Sequence, residues 1–197
     1  MDQLRVAFVP GATPDKWARV WRERHPRIPL DLRLVEEADQ RVVLDDGSAD
    51  LVLARLPVDL DRPSPLHCVR LYDELPVVVA GREHVLAALD EQDVVDPADL
   101  VDEQLVLPHS SGWTPDAAQL DFPAMSVKDA IEVAASGTGI VIVPMSLARL
   151  HHRKDVVTRV VDLPATTVAL IWLRDADSPV HQDFVGVVRG RKAASSR

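Results

Sequence analysis

The side chains best suited to binding a small molecule lie at turns that follow short apolar runs of this sequence. Hydroxyl groups both donate and accept hydrogen bonds, and an imidazole titrates near neutral pH. Backbone N–H groups at the start of a helix favour an anion or a carbonyl oxygen, because they are unpaired and carry the positive end of the helix dipole. The candidate binding positions are Gly11, Ala12, Thr13, Glu37, His109, Ser110, Ser111, Ser126, Pro144 and Met145.

Several of these candidates also have an interpretation that involves no ligand. Thr13, which precedes Pro14, and Ser126, which precedes an apolar-periodic segment, are typical helix N-caps. His109 is either an exposed loop histidine or a binding group that would make binding depend on pH. Glu37 is either a charge at the start of a helix or, if it faces a ligand, a group that disfavours a carboxylate and favours an amine or a neutral molecule.

Motifs of enzymes and metal sites are missing from the sequence. Gly-x-Ser-x-Gly, the P-loop and His-Glu-x-x-His do not occur. His151 and His152 are adjacent, so on a helix they point in different directions and form a poor metal pair. The single cysteine, Cys68, excludes an internal disulfide and is typical of a buried, unreactive thiol. We therefore predict a binding protein, not an enzyme, with no metal and no cofactor.

Charge and hydropathy exclude further classes of partner. The chain has 197 residues and a formal net charge of −9, whereas phosphate binding requires clustered basic residues. No stretch has the length of a membrane span, and no secretory signal opens the chain. We expect a cytoplasmic protein that binds neither nucleic acid nor membrane by itself. The basic residues that do cluster lie at the C-terminal end, namely Arg189, Arg191, Lys192 and Arg197, and residues 191–197 are predicted to form a disordered tail.

Strands and helices alternate in the first part of the chain. Apolar runs at 4–9, 30–35 and 49–54 predict three strands. A helix with an apolar stripe of Trp17, Val20 and Trp21 separates the first two, and a short helix over 38–45 precedes the third. The order β-α-β-α-β favours a parallel sheet.

The rest of the chain continues this alternation. The segment "AASGTGIVIVP" (134–144) predicts a glycine turn, a strand buried on both faces, and a helix that starts at Pro144. Ser126 and Asp129 predict a capping box at the start of the preceding helix. The other predicted elements are two strands within 66–80, a short helix over 96–100, a strand over 103–108, a loop over 109–123, strands over 156–163 and 167–173, and a helix that begins at Ser178-Pro179.

The order of these elements and six short phrases resemble the effector-binding domain of LysR-type transcriptional regulators. The phrases are "LRVAFVPG", "WRERHPRIPLDLRLVE", "DDGSADLVLAR", "LYDELPVVVAGREHVLA", "VDPADLVDEQLVLP" and "VKDAIEVAASGTGIVIVP". The resemblance covers about residues 4–188. It implies an α/β fold of the type 2 periplasmic-binding-protein class: two α/β lobes joined by two crossover strands, with a small-molecule effector in the cleft between them. The strands would cross near Val79 and Leu163, which gives a discontinuous lobe I over 1–79 and 164–190 and a lobe II over 80–163.

Three features of the sequence depart from the family pattern. No helix-turn-helix precedes Leu4, so we expect any DNA contact to involve a separate DNA-binding domain. The first strand-to-helix segment is about three residues short, and the loop between Gly112 and Ser126 is too short for the usual helix. Both shortened segments carry candidate binding positions, so the family does not supply the identity of the effector.

The resemblance also implies a homodimer with side-by-side antiparallel pairing. The candidate dimer surface contains Trp17 or Trp21, Leu32 or Leu34, and Ile131. Two alternatives to a regulatory sensor remain: a stand-alone solute-binding protein, and an α/β enzyme that uses Ser110 or His109 in the same cleft.

Overall fold

The computed structural model describes residues 3–61 and 65–190, so the predicted disordered tail lies outside the described residues. The described strands are β1 (Leu4–Phe8), β2 (Leu30–Leu34), β3 (Leu51–Arg55), β4 (Leu66–Glu74), β5 (Pro76–Gly81), β6 (Val94–Val95), β7 (Val141–Pro144), β8 (Val156–Val161) and β9 (Thr166–Leu173). The α-helices are α1 (Asp15–Arg24), α2 (Val42–Asp45), α3 (Val127–Ala135), α4 (Met145–Leu150) and α5 (Pro179–Val188). Short 3₁₀ helices occupy Glu37–Asp39, Val85–Ala88, Pro97–Leu100 and Arg174–Ala176.

The chain divides into two compact units. The first unit comprises the chain up to Asp73 and again from Thr167 onward, and the second unit is Glu74–Thr166. Val79, near which the sequence places a crossing between lobes, lies within β5, and the strands paired with β5 belong to the second unit. The first unit is therefore discontinuous in sequence, and the second is one uninterrupted segment.

The sheet of the first unit has the strand order β2-β1-β3-β9-β4. β1 pairs in parallel with β2 and β3, as the β-α-β-α-β order predicts, and β9 runs antiparallel to β3. Successive residues of a strand point to opposite faces. Leu51 and Leu53 accordingly join one apolar cluster, whereas Val52 and Ala54 join another. Because both faces of the sheet are covered, its inner strands are mainly apolar, with Arg5 in β1 and Arg55 at the end of β3 as the charged exceptions.

Trp21 anchors α1 to the first of these clusters. Its side chain is fully buried, its ring packs edge-on against Phe184 with centroids 5.5 Å apart, and its Nε1–H donates to the carbonyl of Ile28 at 3.0 Å. Trp17 and Val20 pack against the same cluster while remaining partly exposed. The predicted apolar stripe of this helix is confirmed.

The sheet of the second unit has the strand order β6-β8-β5-β7. Val77 and Val79 of β5 join one apolar cluster, and Val78 and Ala80 join the cluster on the opposite face. β7 shows the same alternation, which confirms that the run at 140–143 is a strand buried on both faces.

Two glycines shape the turn between α3 and β7. Gly137 has a φ of +82°, a conformation that side chains with a Cβ resist. At Gly139 the limit is space, because an added Cβ would overlap the carbonyl oxygen of Gln104. That oxygen accepts the N–H of Ile140 at 2.7 Å, so Gln104 is fixed against the turn.

The predicted strand over 103–108 is wrong. Within it only Leu105 forms a ladder pair, a single parallel bridge to Ile140. Glutamine side chains take the place of a neighbouring strand: Gln119 Oε1 accepts the N–H of Leu105 at 2.7 Å, and Gln104 Oε1 accepts the N–H of Leu120 at 2.8 Å. Periodicity cannot reveal side-chain pairing of this kind.

Predicted features at three helix starts have different outcomes. Thr13 is not the cap of α1, because Pro14 occupies the N-cap position and no side chain caps this helix. The predicted helix over 38–45 consists of a 3₁₀ turn followed by the single turn of α2. The caps predicted at Ser126 and Ser178 are confirmed, since each side chain accepts a backbone N–H of its helix.

Candidate functional site

The candidate positions of the first unit lie where β1 and β2 end. Parallel strands bring their carboxyl ends to one edge of the sheet, and ligands of α/β proteins bind at that edge. After β1, Gly11 has a φ of +84° and turns the chain, while the N–H of Ala12 donates to the carbonyl of Val9 at 3.1 Å. Thr13 follows with an exposed side chain. The N–H of Ala12 is therefore already paired within the turn, and the Thr13 hydroxyl is not used as a helix cap.

The same edge carries a buried cation that the sequence analysis did not single out. The Arg55 side chain, at the end of β3, is only 3% exposed and forms an ion pair with Glu37. Its guanidinium also donates to the carbonyl of Pro10 at 3.0 Å. The Gln40 side chain bonds both the N–H and the carbonyl of Arg55, each at 3.0 Å. Arg55 thus ties together the segments that follow three neighbouring strands.

The ion pair changes the interpretation of Glu37. Glu37 lies in the first turn of its 3₁₀ helix, as the helix-start interpretation predicts, and Arg55 compensates its charge. The Glu37 side chain remains 44% exposed. A signal for Arg55 was present in the sequence: a charged residue ends the otherwise apolar run "LVLAR", and a buried charge requires a partner.

In the second unit, the candidate positions His109, Ser110 and Ser111 form a tight turn. The N–H of Gly112 donates to the carbonyl of His109 at 3.0 Å, and Gly112 has a φ of +78°. His109 Nδ1 lies 2.8 Å from Ser111 Oγ and accepts the N–H of Ser111 at 3.3 Å. Ser111 Oγ in turn accepts the N–H of Trp113 at 3.2 Å. Ser111 therefore holds the His109 ring, whereas the side chain of Ser110 is exposed.

His109 itself is nearly enclosed. It is 7% exposed, so the interpretation as an exposed loop histidine is wrong. Burial lowers the pKa of His109 below its ordinary value, because a positive imidazolium is poorly solvated there. The ring is accordingly neutral at pH 7.

The remaining candidates lie at the starts of α3 and α4. Ser126 Oγ accepts the N–H of Asp129 at 3.2 Å and donates to the Asp129 carboxylate at 2.8 Å, so it serves the helix. Pro144 pairs with Pro76 at the end of β7, and the N–H of Met145 donates to the carbonyl of Leu75 at 3.0 Å. The backbone N–H of Met145 is therefore occupied.

The structure brings the candidate segments of the second unit to one apolar cluster. Four apolar residues beside these positions pack against the cluster that contains Val143 and Leu147. They are Leu107, Met125, Val127 and Met145. The segments that carry His109, Ser126 and Met145 thus share a common support.

Other features of the described residues lie away from these positions. A cavity of about 390 Å³ in the second unit is lined by Gly81, Arg82, Glu83, His84, Ala135, Ser136, Gly137 and Asp155, none of which is a candidate binding residue. Burial raises the pKa of the partly buried Cys68 thiol, which keeps it protonated and unreactive. The described ranges contain no cluster of side chains suited to a metal ion, and none of their helices is long and apolar enough to span a bilayer.

Comparison with known proteins places the chain in a family. The LysR substrate binding domain matches residues 2–193, so the chain belongs to this family and is an effector-binding domain of the LysR type. Its fold is accordingly the predicted α/β fold of the type 2 periplasmic-binding-protein class. A comparison with curated proteins gave no match.

Solved structures of the same fold are distant in sequence. The effector-binding domain of a BenM variant has 20% identity and a TM-score of 0.78, over 96% of this chain and 94% of that chain. The BenM effector-binding domain with its effector benzoate has 20% identity and a TM-score of 0.76, over 95% and 90%. The reduced form of OxyR has 20% identity and a TM-score of 0.72, over 99% and 98%. At such identities the likeness concerns the fold alone.

Proposed function

We propose that this chain senses a small polar or aromatic metabolite and passes its presence to transcription through a separate DNA-binding domain. The observation that carries the proposal is the polar carboxyl edge of β1, β2 and β3, where a buried Arg55 organises the turn at Gly11 and the exposed Glu37. Apolar packing alone does not explain a buried guanidinium at a strand end, because a buried charge is unfavourable unless it is paired. In the family fold this edge is where an effector is bound.

The candidate contacts from the second unit are the turn at His109–Ser111 and the segments at Ser126 and Pro144–Met145. The side chains of Ser110 and Thr13 are exposed, and neither forms a hydrogen bond within the described residues. Their hydroxyls are therefore the free ones, whereas those of Ser111 and Ser126 hold local structure. We assign ligand contact to the free hydroxyls and a supporting role to the bound ones.

An enzymatic role has less support than a sensory one. His109 and Ser111 form a serine–histidine pair, but Ser111 Oγ already donates within the turn, and His109 has no carboxylate partner within the described residues to orient it for catalysis. A redox role is also disfavoured, because a single cysteine with a raised pKa cannot form an internal disulfide. We place the protein in the cytoplasm, where a regulator of transcription acts, and expect no DNA binding from a chain of net charge −9.

A thermal-shift screen of small metabolites tests the proposed function. A ligand that binds only the folded state raises its stability by mass action, so a true effector should raise the Tm in a concentration-dependent way. Calorimetric titration of the hits should show weaker binding for Thr13→Ala or Ser110→Ala, by about 1–3 kcal/mol for a lost hydrogen-bonding partner. Ser48→Ala is the control and should bind normally, because Ser48 lies in the 46–49 turn before β3, at the opposite end of the strand from the carboxyl edge. Hits that bind both site variants with unchanged affinity would contradict the assigned contacts.

We also propose that the chain forms a homodimer through α1 and β2. β2 is at the edge of its sheet, its Leu34 is 57% exposed, and Leu32 and Trp17 are partly exposed. Trp21 and Ile131, also considered for this surface, are 0% and 1% exposed and belong to the core, so their assignment to it is wrong.

Light scattering at tens of micromolar tests the dimer. We expect twice the mass of 21.7 kDa for the wild type and a shift toward the monomer for Leu34→Glu, because a charge at the centre of an apolar interface is poorly solvated. Leu150→Glu, at an exposed leucine of the second unit, is the matched control. A monomeric wild type would contradict the proposal.

A further inference from the structure

The hydrogen bonds of His109 determine which ring nitrogen carries its proton. A backbone N–H can only donate, so the Ser111 N–H, 3.3 Å from Nδ1, requires Nδ1 to accept. Ser111 Oγ accepts the N–H of Trp113 and keeps its own hydrogen, which it can donate to Nδ1, 2.8 Å away, once Nδ1 is an acceptor. A neutral imidazole holds one proton. With Nδ1 occupied as an acceptor, that proton is on Nε2.

The Nε2–H donor of His109 has no hydrogen-bond partner within the described residues. The His109 side chain is only 7% exposed, so an unpaired donor on it costs free energy. A ligand that supplies an acceptor removes this cost, which favours its binding. Both ring nitrogens of His181 are unpaired as well, but they are sealed from solvent, whereas Nε2 of His109 is not. A ligand can therefore reach it.

We propose that the Nε2–H of His109 determines the specificity of the effector site, and that the effector presents a hydrogen-bond acceptor to it, such as a carboxylate, amide or ketone oxygen. The inference rests on the proposed function and narrows it to a ligand class. Ser111 is then a positioning residue, because it fixes the tautomer and orientation of the ring. Its hydroxyl hydrogen points to Nδ1 and is not available to a ligand.

The first experiment needs no ligand. Long-range ¹H–¹⁵N correlation spectra at pH 7.5 report the tautomer of each histidine, and the signals of His109 are those lost in His109→Asn. We expect a neutral ring protonated on Nε2. A ring protonated on Nδ1, or a positively charged ring at this pH, would overturn the proposal before any ligand is tested.

The second experiment uses three probes that share one ring: benzoate, benzamide and benzylamine. The first two present oxygen acceptors, whereas the third presents only a cationic donor. We expect benzoate or benzamide to bind and to move the Nε2–H resonance of His109, and benzylamine to leave it unchanged. Preferential binding of benzylamine would contradict the inference.

Two substitutions test the Nε2–H donor of His109 separately from its Nδ1 acceptor, which holds the turn. In His109→Asn the Oδ1 atom replaces Nδ1 as acceptor for the Ser111 N–H, but the shorter amide places no donor at the position of Nε2, so affinity for the binding probe should fall about tenfold or more. In His109→Gln the amide N–H replaces the Nε2–H, and most of the affinity should remain. Equal affinity of His109→Asn and the wild type would overturn this inference and leave the proposed function intact. If neither these probes nor any screened metabolite stabilises the wild type, the proposed function itself fails.

Discussion

Replacing Gly139 by alanine is expected to destabilise the second unit by about 1–3 kcal/mol or more. The added Cβ would overlap the carbonyl oxygen of Gln104 and lie 3.2 Å from its carbonyl carbon. These are backbone atoms, and the same oxygen accepts the N–H of Ile140 at 2.7 Å. Relief of the overlap therefore requires movement of the backbone hydrogen bonds between residues 104–106 and Ile140, which directly precedes β7. Urea denaturation measures the change as a lower midpoint.

Gly186→Ala provides the matched control, because the chemical change is the same and the surroundings differ. Gly186 lies within α5, and a Cβ there would have no atom within 4 Å. Alanine in an open helical position is expected to stabilise by about 0.5–1 kcal/mol, since glycine loses more backbone entropy on folding. Two glycine-to-alanine substitutions should thus change stability in opposite directions. Equal stability of Gly139→Ala and the wild type would show that residue 104 moves freely.

Replacing His181 by leucine is expected to stabilise the first unit by about 1–3 kcal/mol at neutral pH. His181 is 1% exposed on α5, and neither ring nitrogen forms a hydrogen bond of normal geometry within the described residues, although the Ala176 backbone lies near enough to favour the charged ring. An unpaired buried polar group is unfavourable, and an apolar side chain of similar volume removes that cost. Chemical denaturation at pH 7.5 gives the difference in the free energy of unfolding.

The advantage of the leucine variant should grow in acid. Burial lowers the pKa of His181 below its unfolded value, although Asp50, Asp177 and the backbone of Ala176 act in the opposite direction. The unfolded chain therefore binds a proton before the folded chain does, and wild-type stability falls as the pH drops below about 6.5 toward the lowered folded pKa. The variant lacks this contribution. His152→Leu, at an exposed histidine, is the control and should change stability by less than about 0.5 kcal/mol. A less stable His181→Leu would indicate a polar partner that the ring requires.

The local features of the fold were predictable because short-range patterns determine them. Uninterrupted apolar runs identified β3, β7 and β9, whose residues are buried on both faces. The capping box at Ser126 and the cap at Ser178 follow from residues within three positions of each other. Six phrases in a fixed order were enough to indicate the family, which the match over residues 2–193 confirms.

The polar arrangement of the candidate site was not predictable in the same way, because its partners are distant in sequence. Arg55 meets Glu37 across 18 positions and Pro10 across 45. The segment 103–108 has the composition of a strand, but glutamine side chains satisfy its backbone. Thr13 has the residue type of a cap, yet Pro14 takes the position. In the first two cases a tertiary contact outweighs a local preference, whereas at Thr13 the neighbouring proline does so.

The ion pair between Arg55 and Glu37 constrains how the recognition properties of this domain can change. A substitution of Glu37 alone would remove the carboxylate that pairs with the enclosed guanidinium of Arg55, and the loss of one member of such a pair is more harmful than replacement of both. We therefore expect replacement of positions 37 and 55 together to be tolerated better than replacement of either one alone. For the design of a biosensor from this scaffold, a library that varies the two positions together will contain folded members that single-site libraries never reach.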